Sequence, residues 1–300
     1  MSNLRELGVN LSSLGLGIEH FVLRSNNPNH MTREENSRLI IEEAFKLGLT
    51  HYDLVFNLPF FFDVFKEFIK NKRKKITFTT HFGSIYSQNG PNHRKSRSMK
   101  HIKPTFEGML ERIDTSYVDI ALLQYITHME DYEKFVKGGV LDYVMELKKE
   151  DKAKAFGFSA HQPELILKIL AKKRFDVIMF PLNFATGILD STKKLIKYCE
   201  KNEISIIAIK NLMKGKVFTT KKTDYPAYFC GGRKLSLKLE ESSSPAQCLR
   251  YGLDQGAETV VFGVKTVEEL KNNFESYKNE KDSVDYSRIL YQFEQIVLSG

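Results

Sequence analysis

Cysteine is scarce in this chain. Cys199, Cys230 and Cys248 are the only three in 300 residues. They are odd in number, scattered and without metal-ligand spacing, which argues against a disulfide framework or a cysteine-held metal and fits a reducing, cytoplasmic setting. Cys199 and Cys248 fall in helix-like stretches, where buried structural thiols are common. Long apolar runs are missing as well: none reaches the ~20 residues that a membrane span needs. The N-terminal MSNLRELGVNLSSLGLG has no continuous apolar region and no small-residue cleavage site, so no secretory signal is expected. No strand-like run is followed by G-x-G-x-x-G, the loop that a doubly wound dinucleotide fold requires. Nor is there a large block of one charge sign. The net charge is +8, yet most basic residues are interleaved with acids. The exception is HRKSRSMKHIK, residues 93–103, which reads as a solvated loop or one that meets an anionic small molecule; nucleic acid is the disfavoured partner.

What is present is a rhythm of short apolar runs and amphipathic stretches. Runs at 13–17, 49–53, 76–80, 117–123, 153–158, 176–180, 204–209 and 258–262 are nearly continuous in apolar residues. That is the pattern of parallel strands covered on both faces. Helix starts are marked between them: Pro163 opens one at its favoured first-turn position. Ser244 with Gln247, and Thr266 with Glu269, have the spacing of capping boxes. Eight strand–helix units without a Gly/Pro/Ser-rich linker predict one (β/α)8 TIM barrel over residues 1–300, with an open doubly wound sheet as runner-up. The longest irregular stretches, 81–103 and 217–243, would then follow strand C-termini, the face where barrel active sites lie.

The stretch THYDLVFNLPFFFDVF, residues 50–65, puts Asp53 at such a strand end. It joins LRELGVNLSSLGLG, YVDIALLQ, GFSAHQPE, DVIMFPLN, SPAQCLRYGL and VVFGVKTVEELKNN in an order that resembles the aldo-keto reductases over nearly the whole chain. GFSAH and FPLNF are most similar to a branch that often carries a C-terminal iron–sulfur segment; with no cysteine cluster before Gly300, no such cluster is expected here. The resemblance implies a barrel that reduces carbonyls with NADPH or NADH and no metal. It also implies a catalytic Asp, Tyr, Lys and His, in which the Tyr donates a proton, the Asp-held Lys activates it and the His polarises the carbonyl. Asp53 matches the Asp. Leu58 stands at the Tyr position, His81 at the Lys position and Gln124 at the His position. For the cofactor, Ser159 and Lys210 match residues beside the nicotinamide. Gly263, Lys265, Thr266 and Asn273 match the adenosine-phosphate site, where Glu269 replaces an Arg that often holds the 2′-phosphate.

A leucine carries no proton, so the ordinary acid route is closed at position 58. Tyr86 and Tyr125 are the candidate replacement phenols. If Asp53 and His81 both face the mouth, the carboxylate orients the imidazole and the two form an acid–base pair. The amide of Gln124 can then hydrogen-bond a substrate oxygen. Each residue also has a plainer reading: Asp53 in a structural ion pair with His81 or Lys210, His81 and Gln124 as satisfied polar groups, His161 as part of a helix start. Phe56 and the phenylalanines after it either line a pocket for a planar apolar substrate or plug the space left by the missing tyrosine. Three functions stay open. One is an NAD(P)-linked oxidoreductase with Asp53, His81 and Gln124 as its catalytic set and Phe56, Leu58, Tyr86, Tyr125 and His161 around a small substrate. The second is a non-redox lyase or isomerase, and the third a barrel kept as a binding module.

Overall fold

The computed structural model describes residues 3–23, 31–85, 94–279 and 284–297. Eight parallel strands close into a barrel: β1 (Leu14–Gly17), β2 (His51–Leu54), β3 (Thr77–Phe82), β4 (Val118–Ile126), β5 (Ala153–Ala160), β6 (Val177–Pro181), β7 (Ser205–Ile209) and β8 (Thr259–Phe262). Each pairs with its neighbours in chain order. The ring closes where Leu14 of β1 lies opposite Val260 of β8. All eight runs anticipated from the sequence are these strands, so the barrel expectation holds and the open sheet does not.

The main helices of the outer layer are α1 (Arg33–Lys46), α2 (Pro59–Ile69), α3 (Met99–Ile113), α4 (Val140–Lys149), α5 (Pro163–Leu170), α6 (Asp190–Lys201), α7 (Pro245–Asp254) and α8 (Val267–Asn279). The aromatic PFFF run becomes the start of α2, with Pro59 in its first turn and Phe61, Phe62, Phe65 and Phe68 buried. These rings pack on the outward side chains of the strands. Phe65 lies 5.8 Å from Tyr52 and 5.5 Å from Phe78, centroid to centroid, both edge-on as aromatic quadrupoles favour. At α7 the capping box is complete, Ser244 Oγ accepting from the Gln247 amide and Gln247 Oε1 from the Ser244 amide.

Residues two apart along a strand share a face. The inward positions Ile120, Leu122, Val177, Met179, Ile207 and Val261 form a separate apolar cluster with Leu4 and Val9, which close the barrel floor. Polar side chains are set among the inward layers as well. His51 is fully buried, its Nδ1 3.0 Å from Thr77 Oγ1 and its Nε2 3.3 Å from Thr79 Oγ1. The two hydroxyls satisfy a neutral ring.

The stretch 217–243, irregular by sequence, is more ordered than that reading. Thr223–Tyr225 pairs antiparallel with Leu235–Leu237. Around this ribbon a second core gathers Tyr225, Phe229 and Leu237 with Ile289 and Phe293 of the helix Ser287–Val297. Three-residue strands are too short to show a period, which is why the pattern hid them.

Burial pushes His51 from its ordinary 6.5 down to about 4. In the unfolded chain the ring protonates first as the medium is acidified, so the unfolded state gains protons that the folded state refuses. Stability is therefore expected to fall as pH drops from 6.5 to about 4, by on the order of 3 kcal/mol from this group. Urea unfolding across that window should show a shallower slope for His51→Gln.

Candidate active site

Register builds the centre of the mouth. Asp53 of β2 is opposite Thr79 of β3, and His81, two residues further on, shares the inward face of Thr79. Its ring lies against the carboxylate, with Nε2 2.6 Å from Asp53 Oδ1. An ionised carboxylate only accepts, so Nε2 carries the hydrogen and donates it. Both side chains are buried, with relative exposures of 5% for Asp53 and 4% for His81. His81 Nδ1 is buried without a hydrogen-bond partner. Gln124 lies on β4, two residues beyond Leu122, the register partner of His81. Its Nε2 makes a long contact of 3.4 Å to the Val55 carbonyl, and its buried Oε1 has no partner. Two unsatisfied polar atoms buried at the ends of adjacent strands are uncommon in a finished interior. They mark groups that a bound molecule or water would satisfy.

Gly83 permits this crowding. Its φ of +127° lies where a side chain is strained, and a Cβ there would stand 2.8 Å from the Gln124 carbonyl oxygen. Just beyond, Ser84–Ile85 pairs antiparallel with Arg94–Lys95, so part of the basic run folds back as a ribbon. Arg97 of that run is committed, donating to the Tyr125 carbonyl at 2.6 Å and lying 3.1 Å from Asp131. His93 lies outside the described residues.

A second group stands at the ends of β5 and β7. Lys210 follows β7 with φ +61°. Its Nζ is 5.5 Å from the centroid of the Tyr228 ring. Lys214 Nζ is 5.4 Å from the same centroid and donates to the Tyr228 hydroxyl at 3.2 Å. The ring of His161 lies 6.4 Å from that of Tyr228. Burial lowers the Lys210 ammonium from the usual lysine range; the charges of Glu19 and Asp53 raise it and that of Lys214 lowers it further. Burial, with Lys210 beside it, drives His161 down to about 3, so this imidazole is neutral. Ser159, at the end of β5, is buried opposite Met179.

The other anticipated residues divide. Phe56 and Leu58 belong to the main core with the α2 phenylalanines, and Leu58 directly precedes α2. Between them Asn57 is pinned, its Nδ2 donating to the Ser84 carbonyl at 2.6 Å. Tyr125 is left-handed, with φ +62°. Burial lifts its phenol to about 12, against the effect of the Ser84 hydroxyl. Tyr86 lies outside the described residues. At α8, Thr266 Oγ1 accepts from the Glu269 amide at 3.1 Å, while Glu269 turns back to accept from the Lys265 amide at 2.7 Å. The Lys265 carbonyl accepts from Asn36 at 2.9 Å, and Asn273 Nδ2 is buried without a partner. His20 packs on Gly263, where a Cβ would meet its Nδ1 at 2.5 Å. Among the described residues no group of three potential metal ligands comes together, and no helix is long and apolar enough to cross a membrane.

Sequence reading missed Glu19, Tyr228 and Lys214, which come from a short helix, a ribbon loop and a turn. Spacing along the chain gives no sign that they converge. His51 was missed too, although strand alternation, two residues before Asp53, is a signal that would have placed it on the same face.

Fold and mouth together define a closed (β/α)8 barrel with a buried carboxylate–imidazole pair at the strand C-termini. Residues 13–290 match the family model described as "Aldo/keto reductase family", and the chain belongs to that family of oxidoreductases. Its fold is similar to that of an aldo-keto reductase from Bacillus halodurans in its holo form, with TM-score 0.70, 18% identity and coverage of 95% of this chain and 92% of that one. It is also similar to a glycerol dehydrogenase from Gluconobacter oxydans, with TM-score 0.66, 17% identity and coverage of 95% and 91%. A third is an aldo-keto reductase enzyme from a Medee basin deep-sea metagenome library, with TM-score 0.60, 15% identity and coverage of 95% and 91%. Comparison with curated proteins gives no match.

Removing Asp53 would leave a buried imidazole with neither nitrogen bonded. Asp53→Ala is expected to cost about 1–3 kcal/mol of stability. Much of that loss should disappear in an Asp53→Ala/His81→Leu double variant. A denaturant-melt cycle over the four proteins reads the coupling directly.

Proposed function

We propose that the protein is an NAD(P)-linked oxidoreductase of the cytoplasm, a single domain over residues 1–300, acting on a small carbonyl or alcohol. The observation that carries this reading is the 2.6 Å bond between buried Asp53 and His81 at the barrel mouth. In a family of oxidoreductases it offers an acid–base pair where the sequence has no phenol at position 58. Ser159 and Lys210 would flank the nicotinamide. Gly263, Lys265, Thr266 and Asn273 would hold the adenosine end. The buried, unpartnered Nδ2 of Asn273, midway along α8, fits that role as an orphan donor. When bound, the dinucleotide supplies the hydride to the carbonyl carbon or takes it from the alcohol carbon. The chain does the rest. Asp53 fixes the His81 ring through Nε2. His81 delivers or takes the proton at Nδ1, the nitrogen that Asp53 leaves uncommitted. Gln124 orients the substrate oxygen through its amide. Phe56, Leu58, Tyr125 and His161 would shape the substrate pocket.

Glu269 favours NAD over NADP, because its carboxylate already occupies the helix start that a 2′-phosphate would approach. The expected preference for NADH in calorimetric titration is about fivefold, the scale of one exposed charge contact. Glu269→Gln should narrow it. His81→Ala should lower turnover of any accepted carbonyl by about a hundredfold or more, as loss of a general acid does. Undiminished turnover in that variant removes His81 from the mechanism.

The second reading, a lyase or isomerase without net redox, is favoured by one observation. Lys210 presents a burial-weakened ammonium to the same mouth, and an amine of that kind acts on carbonyls without hydride. Failure of both NADH and NADPH to bind at high concentration would favour this reading over hydride transfer.

A further inference from the structure

We propose that Lys210 is a nucleophile that condenses with an aldehyde or ketone entering the dinucleotide-free mouth, giving a Schiff base on its Nζ. This goes beyond the hydride-transfer reading and does not depend on it.

Four features of the mouth converge. Lys210 immediately follows a barrel strand, at the face where ligands enter. Its backbone is held in the left-handed region at φ +61°, with its carbonyl accepting from the Met213 amide at 3.1 Å and from Asn183 Nδ2 at 3.3 Å. Met213 and Lys214 are left-handed too, at φ +46° and +56°. Three strained residues within five positions are a cost that surrounding structure must fix, and such strain clusters where a side chain is aimed for a task. Among the described residues, neither the Lys210 nor the Lys214 ammonium has a salt-bridge partner, although exposed lysines elsewhere in the protein do. Both instead approach one ring, that of Tyr228, at 5.5 and 5.4 Å.

A lysine attacks a carbonyl only as the free amine. Burial and a neighbouring cation are the two devices that favour this form at neutral pH. Both act on Lys210: burial first, then Lys214, against the pull of Glu19 and Asp53. His161 adds no charge, being neutral. Lys214 also donates to the Tyr228 hydroxyl, leaving the phenol proton free to be passed on.

The step balances without an oxidant or reductant. The Nζ lone pair forms a bond to the carbonyl carbon as the C=O π pair moves onto oxygen. One amine proton is transferred to that oxygen, relayed by the Tyr228 hydroxyl, to give a carbinolamine. The second amine proton follows as the C–O bond breaks. Water leaves, and a C=N bond to Lys210 remains.

The test uses the intact protein without dinucleotide, incubated with pyruvate or with dihydroxyacetone and sodium cyanoborohydride, which reduces an imine to a stable amine. Peptide mapping then locates the adduct. Lys210 should be labelled about tenfold or more above any other lysine, since a buried amine beside a second cation releases its proton more readily than a solvated one. Lys214→Met should move the pH dependence of labelling upward, because a neighbouring positive charge is removed. Labelling spread evenly over surface lysines, or an unchanged pH profile in Lys214→Met, overturns the proposal. Because no dinucleotide is present, the result is independent of whether hydride transfer occurs.

Discussion

The constraint on which the molecule depends is alternation in a closed parallel sheet. Once β1 pairs with β8, each strand residue faces either the helices or the axis, and a slip of one position would exchange the two sets. The outward set is large and apolar, typified by Tyr52 and Phe78 against Phe65. The inward set is graded along the axis. Apolar side chains and a neutral His51 fill the lower levels, and the pairing of Asp53 with His81 stands above them. One register therefore sets both the packing and the placement of the polar groups.

That grading bears on electrostatics. His51 is stripped of charge by burial, with hydroxyls on both sides. One step higher, Asp53 meets an imidazole instead. A carboxylate this buried is tolerable only with a good donor, and His81 supplies one at 2.6 Å. Across the mouth, Lys210 has no such partner and relies on longer-range attraction from Glu19 and Asp53. Two sides of one opening thus handle buried charge differently: one by direct contact, the other by distance and an aromatic ring.

Much of this was legible beforehand, for identifiable reasons. All eight strands were readable because runs such as ISIIAI and DVIMF are apolar on both faces, which few other elements are. Pro163, Ser244 and Thr266 marked helix starts through local chemistry that tertiary context did not override. The pairing of Asp53 with His81 was one of two partners the sequence left open for the carboxylate, the other being Lys210, and the register of adjacent strands selects His81. What stayed hidden came from loops. Tyr228 lies in a stretch whose strands are only three residues long, and its meeting with Lys214 and His161 depends on a second core that has no periodic trace. The phenylalanines after Phe56 had two readings in sequence. Neither a pocket lining nor a plug anticipated that Phe61, Phe62 and Phe65 would be buried as part of α2, which Pro59 opens.

Leu4 and Val9 close the barrel at the end remote from Asp53, and this has a consequence for traffic. With Ile120, Leu122, Val177 and Ile207 packed tightly above that floor, the axis is solid rather than a conduit. Nothing can cross the barrel from end to end, so a molecule that reaches Asp53 and His81 has to arrive and depart on the same side.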